Sequence, residues 1–161
     1  MRDDRQIRTD ELQADNVWRA LRDVLARFEA AGIKEAEVSF GFGWDHKTVE
    51  WDYLLLPLNE IEARIRTEER EGQTENQTLG RSDLFLRHPS LSFEIQFCHE
   101  SDLHIWFDEW VPLAGAIAAD WTARGFNPRY WVKENGAWTE QPLPACSTSN
   151  DPRAGDGGPS V

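Results

Sequence analysis

Three observations predict an α+β fold: an antiparallel sheet of five to seven strands, packed on one face by two long helices and one short helix. Residues 91–98 and 102–107 alternate strictly, with Leu91, Phe93, Ile95 and Phe97 set against Ser92, Glu94, Gln96 and Cys98, then Leu103, Ile105 and Phe107 against Asp102, His104 and Trp106. Two long segments instead carry apolar residues at helical spacing. The predicted order, α-β-β-α-β-β-β-α-β-β, lacks the strand–helix–strand alternation of a parallel doubly wound sheet.

The first helix is expected from about Asp10 to Ala31. Val17, Trp18, Leu21, Val24, Leu25 and Phe28 form one stripe, Thr9 or Asp10 is placed to cap the start, and Gly32 suits a left-handed stop. A hairpin follows. Val38, Phe40 and Phe42 alternate in its first strand, while Val49, Trp51, Tyr53 and Leu55 are assigned to the apolar face of its second, with Glu50, Asp52 and Leu54 opposite. Gly41-Phe42-Gly43 has no third glycine opening a helix, so it reads as a kink in the strand rather than a dinucleotide loop.

A short helix is expected from Asn59, as cap, to Glu71, stopped by Gly72 and supported by Glu60–Arg64 and Glu62–Arg66. The three-stranded meander over about 82–88, 91–98 and 102–107 comes next. A second long helix runs from about Glu109 to Arg124, with Asp108 as cap, Pro112 in the first turn and Gly125 at the end. The last hairpin turns at Asn135-Gly136. Residues 1–8 are read as frayed and 9–141 as a single domain. Residues 142–161 hold four of the eight prolines and almost no bulky apolar group, so they are read as a disordered tail.

Composition narrows the function. The 161 residues include 29 acidic and 17 basic side chains, a net charge of −12. Such a chain is repelled by phosphate backbones and anionic lipid, which disfavours direct nucleic-acid or membrane partners. The polar N-terminus has no signal-like apolar core, and no run approaches the roughly 18–20 apolar residues of a membrane helix. A cytoplasmic protein is expected. Cys98 and Cys146 form neither a disulfide framework nor a zinc motif. Among the eight tryptophans, Trp18, Trp110 and Trp121 are assigned to the core, and Trp44, Trp106 and Trp138 to more exposed positions.

Strict alternation assigns Glu37, Glu50, Asp52, Asp83, Glu94, Asp102, His104 and Trp106 to the face away from the helices. Asp45, Glu100, Asp108 and Glu109 lie in nearby turns, and no lysine or arginine occurs between Arg87 and Arg124. A surface of one sign repels itself and is useful chiefly for attracting the opposite charge. Glu50, Asp52, Glu94, Glu100, Asp102, His104, Trp106, Asp108 and Glu109 are therefore the expected contact set for a basic protein partner, with Trp106 as an aromatic anchor.

Other chemistry has weaker signals. His99, Asp102 and His104 are metal-ligand types, but their spacing matches no sharp motif. Neighbouring carboxylates such as Glu50 and Asp52 permit acid–base work without locating a cleft. Cys98 and His99, as adjacent strand residues, are expected on opposite faces, which argues against a thiol–imidazole pair. No cofactor and no catalytic residue is assigned.

In size, acidity and lack of a catalytic signature the chain is similar to bacterial immunity proteins. That analogy implies a carboxylate-rich face occluding the basic active site of a toxin or nucleic-acid enzyme. The alternatives are a small hydrolase, metal-dependent or not, with a Glu/Asp/His-lined pocket, and an adaptor domain without catalysis.

Overall fold

The computed structural model describes residues 4–44, 52–72 and 74–144. They form an α+β domain with one antiparallel sheet and three helices. In chain order the elements are β1 (Arg5–Arg8), α1 (Ala14–Ala30), β2 (Glu35–Phe40), β3 (Tyr53–Pro57), α2 (Leu58–Glu71), β4 (Leu84–Arg87), β5 (Phe93–Phe97), β6 (Leu103–Phe107), α3 (Pro112–Ala123), β7 (Arg129–Glu134) and β8 (Ala137–Gln141). The sheet has eight strands, in the order β3-β2-β4-β5-β6-β1-β7-β8. No helix among the described residues is long and apolar enough to cross a membrane. The expected tail from residue 145 onward, and with it Cys146, lies outside the described residues, as do Asp45 and Glu50.

The eighth strand is β1, inside the segment expected to be frayed. It pairs with β6 on one side, Ile7 opposite Ile105, and with β7 on the other, Ile7 opposite Tyr130. Ile7 is fully buried, which contributes roughly 1.5–3 kcal/mol. This strand also moves the start of α1. Thr9, Asp10 and Leu12 donate backbone N–H groups to Leu103, Phe126 and Ser101, so the chain stays extended until Gln13. Thr9 and Asp10 therefore do not cap the helix.

The helix stops follow the sequence. Gly32 and Gly125 have φ of 82° and 78°, and each ends a helix with paired bonds: Ile33 to Phe28 and Gly32 to Glu29, Phe126 to Trp121 and Gly125 to Thr122. In both motifs the bulky residue after the glycine is buried beside the last turn, the arrangement that fixes such a stop. The starts of α2 and α3 differ from expectation. The residues before the first turns are Pro57 and Val111, with no side-chain cap, and Pro112 opens α3 because it needs no N–H partner there. Gly72 ends α2 in an extended conformation. Arg64 pairs with Glu68 rather than Glu60, while Arg66 reaches Glu62 as expected.

All three helices contribute to one apolar core with the inner face of the sheet. Bridges between Arg22 and Glu62, Arg27 and Asp120, and Arg124 and Asp23 tie α1 to α2 on one side and to α3 on the other. Trp44 is buried, not exposed, and its indole N–H donates to the carbonyl of Asp83 at 2.9 Å. Gly43 has φ +93°, and a Cβ there would meet the Ser82 Oγ at 2.4 Å, which explains the glycine in this turn.

In β3 the faces are reversed from the sequence assignment. Glu37 pairs with Leu55 and Ser39 with Tyr53, which places Tyr53 and Leu55 on the open face and Leu54 and Leu56 against the core. The segment Tyr53-Leu54-Leu55-Leu56 is apolar in both parities, so alternation alone could not choose between them.

Candidate functional site

The face of the sheet away from the helices carries two polar clusters. The first lies across β3, β2, β4 and β5. Arg87 donates to Glu37 at 2.6 Å and stacks 3.4 Å over the Tyr53 ring, and the Tyr53 hydroxyl makes a short hydrogen bond to Glu94. Burial, followed by the hydrogen bond to Glu94, pushes the Tyr53 hydroxyl well above its ordinary value.

The second cluster lies where β5, β6 and β1 meet. The turn between β5 and β6 closes with Ser101 donating to Cys98 O at 3.0 Å and Cys98 donating to Asp102 O at 2.9 Å. Ser101 takes a positive φ of 65°. The closure sets Cys98 opposite Asp102, in register with Gln96 opposite His104. All of Cys98, Asp102 and His104 are buried. Arg8, from β1, donates to Asp102 Oδ2 at 2.5 Å and to Glu100 at 3.1 Å. Gln6 Oε1 lies 3.0 Å from His104 Nδ1. A carbonyl oxygen can only accept, so Nδ1 carries the proton of that bond.

Two atoms of this cluster are buried without a hydrogen-bond partner, Asp102 Oδ1 and His104 Nε2. His104 Nε2 stands 3.1 Å from Asp102 Oδ2, close enough for the imidazole and the carboxylate to act on each other. Burial alone would raise the Asp102 carboxyl. The His104 imidazole, the Cys98 thiol and the Arg8 guanidinium outweigh it and hold the carboxyl at about 2. The same burial, with the Asp102 and Asp83 carboxylates, pushes the Cys98 thiol up to about 12. A thiol so placed is protonated at neutral pH, which argues against a cysteine nucleophile.

Cys98 and His99 are nevertheless not held apart on opposite faces of a strand. Cys98 and His99 lie past the end of β5, and Cys98 Sγ comes within 3.8 Å of His99 Nδ1. His99 is instead engaged by Asp83, whose Oδ1 accepts from the His99 backbone at 2.8 Å and lies 2.9 Å from Nδ1.

Beside the second cluster the sheet forms a groove of about 710 Å³, lined by Gln6, Arg8, Thr9, Asp10, Glu11, Glu100, Asp102, Arg129, Trp131 and Trp138. Trp131 lies opposite Gln6, and Trp138 packs edge-on to Trp106 at 6.4 Å. Trp106 stacks in turn on His104 at 5.4 Å and donates its indole N–H to Gln96. Arg129 reaches Asp10 at 3.2 Å.

The contact set expected from sequence is thus only partly assembled. Glu100 and Asp102 line the groove, with His104 and Trp106 next to it. Glu94, Asp102 and His104 are buried, while Glu100, Asp108 and Glu109 are exposed. Asp108 and Glu109 lie at the far end of β6, roughly 20 Å along the strand from Asp102. Asp52 is exposed before β3, toward the opposite edge of the sheet. Nor is the face of one sign. Arg8, Arg87 and Arg129 lie on it and engage Asp102, Glu37 and Asp10. Gln6 and Arg8 have no role in the sequence reading because β1 lies in a segment read as frayed; Arg129 and Trp131 belong to the expected last hairpin, but its place beside β1 follows only from the sheet order.

Comparison of the chain with known protein families, with curated proteins and with solved structures returns no match.

Proposed function

We propose that this chain is a protein-binding domain that takes a basic segment of its partner into the groove over β6, β1, β7 and β8, in the manner of an inhibitor that occludes a cationic site. The carrying observation is the lining of that groove. Asp10, Glu11, Glu100 and Asp102 outnumber Arg8 and Arg129, and Trp131 and Trp138 supply aromatic surface. A lysine or arginine entering there meets carboxylates for charge pairing, and it takes the place over the indoles that Arg129 and Lys133 hold at 5.7 and 5.8 Å from the Trp131 and Trp138 rings. Tryptophan and arginine side chains are also the types that most often carry binding energy at interfaces. The proposal places the anchor on Trp138 and Glu100 rather than on the buried Glu94 and Asp102.

The test is affinity capture from a bacterial lysate at low salt, run side by side with the Trp138→Ala and Glu100→Lys variants. The expected result is one stoichiometric basic protein, released as salt rises, retained by the native chain and lost by both variants. A native chain that captures nothing, or a partner held equally by both variants, overturns the reading.

A further inference from the structure

We propose that Cys98, Asp102 and His104 form a binding site for a divalent transition-metal ion of the zinc class. The inference does not rest on the docking reading.

Three observations converge on it. One ligand atom from each residue, a thiol sulfur, a carboxylate oxygen and an imidazole nitrogen, lies within 4.8 Å of the other two. This donor set is one that zinc accepts, with bonds of about 2.0–2.3 Å. All three residues are more than nine-tenths buried, at 5%, 2% and 7% exposure, so the ion would be held in a site of low water access.

The second observation is independent of the spacing. Asp102 Oδ1 and His104 Nε2 are buried polar atoms without hydrogen-bond partners. Leaving such an atom unpaired costs about 1–3 kcal/mol, and both belong to the cluster. A cation between them satisfies both at once.

The third is the set of groups around the ligands. Gln6 accepts from His104 Nδ1, which fixes the ring and presents Nε2 to the cluster. Arg8 holds Asp102 by Oδ2 and leaves Oδ1 free. On binding, the thiol proton leaves to water as the sulfur–metal bond forms. One thiolate, one carboxylate and a neutral imidazole then balance the two charges of the ion. The neighbouring group of Asp83, Cys98 and His99 is the weaker site, because Asp83 already engages His99 and His99 is exposed.

The experiment uses tag-free full-length chain carrying Cys146→Ser, so that Cys98 is the sole thiol. It is dialysed against chelator and titrated with Co²⁺. One equivalent is expected to produce a near-ultraviolet thiolate-to-cobalt absorption, which added Zn²⁺ abolishes. Cys98→Ser is expected to lose that absorption. Gln6→Leu is expected to weaken the affinity about tenfold or more, as orienting partners of ligating histidines do. Because the ligand variants could fail to fold, the native chain supplies a second reading: Zn²⁺ raises its thermal midpoint and chelator reverses the shift. No sulfur-to-metal absorption at saturating Co²⁺, or an unchanged midpoint with excess Zn²⁺, overturns the proposal.

Discussion

The two polar clusters share one face of one sheet but are built differently. Across β3, β2, β4 and β5, Arg87 serves Glu37, its guanidinium covers the Tyr53 ring, and Tyr53 serves Glu94. Where β5, β6 and β1 meet, Arg8 and Gln6 engage one atom each of Asp102 and His104, and one buried atom of each is left over. The first arrangement closes on itself and needs nothing from outside. The second is incomplete, and it adjoins the groove. A buried polar group retained without a partner costs stability, so the incomplete cluster is the better place to look for a ligand.

Removing the central carboxylate of the incomplete cluster is the largest expected perturbation. Asp102→Asn takes the charged partner from Arg8 inside a largely buried cluster, and should lower the unfolding free energy by about 2–3 kcal/mol in urea titrations. A loss below about 0.5 kcal/mol would mean the second cluster carries no more than an exposed ion pair.

Acid gives an intermediate effect with a defined sign. The folded chain holds the Asp102 carboxyl at about 2, below its ordinary 3.8. Its contribution to stability is therefore complete above about pH 4 and is lost as pH falls toward 2. The open flank at Arg8 reduces the size to about 1–2 kcal/mol. Urea midpoints of the chelator-treated native chain should fall across that window, and Asp102→Asn should fall less. Parallel acid curves for the two proteins would assign the dependence to other carboxylates.

The smallest effect belongs to the complete cluster. Tyr53→Phe removes one hydrogen bond to the buried Glu94 and should cost about 1 kcal/mol. It should leave partner capture and cobalt affinity unchanged. If capture falls with this variant, the two clusters act as one surface and the contrast between them is wrong.

What the sequence made legible follows from how local each signal is. The alternation of β5 and β6 correctly placed Asp102 and His104 on one face, because a strand's period is rigid. The glycine stops of α1 and α3 were also readable, since a left-handed residue followed by a bulky apolar one is a local arrangement. β1 offered one apolar residue, Ile7, between a glutamine and an arginine, and its partners lie about a hundred positions away in the chain. The site was obscured for the same reason. Cys98 joins Asp102 only through the turn between them, and Gln6 and Arg8 arrive from the other end of the domain. The expected acidity of the open face failed on Arg8, Arg87 and Arg129, supplied by β1, β4 and β7, all of which fall outside the arginine- and lysine-free residues 88–123.

The position of β1 has a consequence for synthesis. On the ribosome, residues 5–8 emerge before every other strand of this sheet, yet they lie between strands that emerge much later. Until β6 is out, this segment has no strand to pair with, and until β7 follows, one of its edges stays bare. The sheet therefore cannot close in the order in which it is made. The nascent chain carries an unpaired strand through most of translation, and the β7–β8 hairpin joins the rest of the sheet only through those four residues. Shortening the chain past Arg8 would leave two separate sheets where the native protein has one.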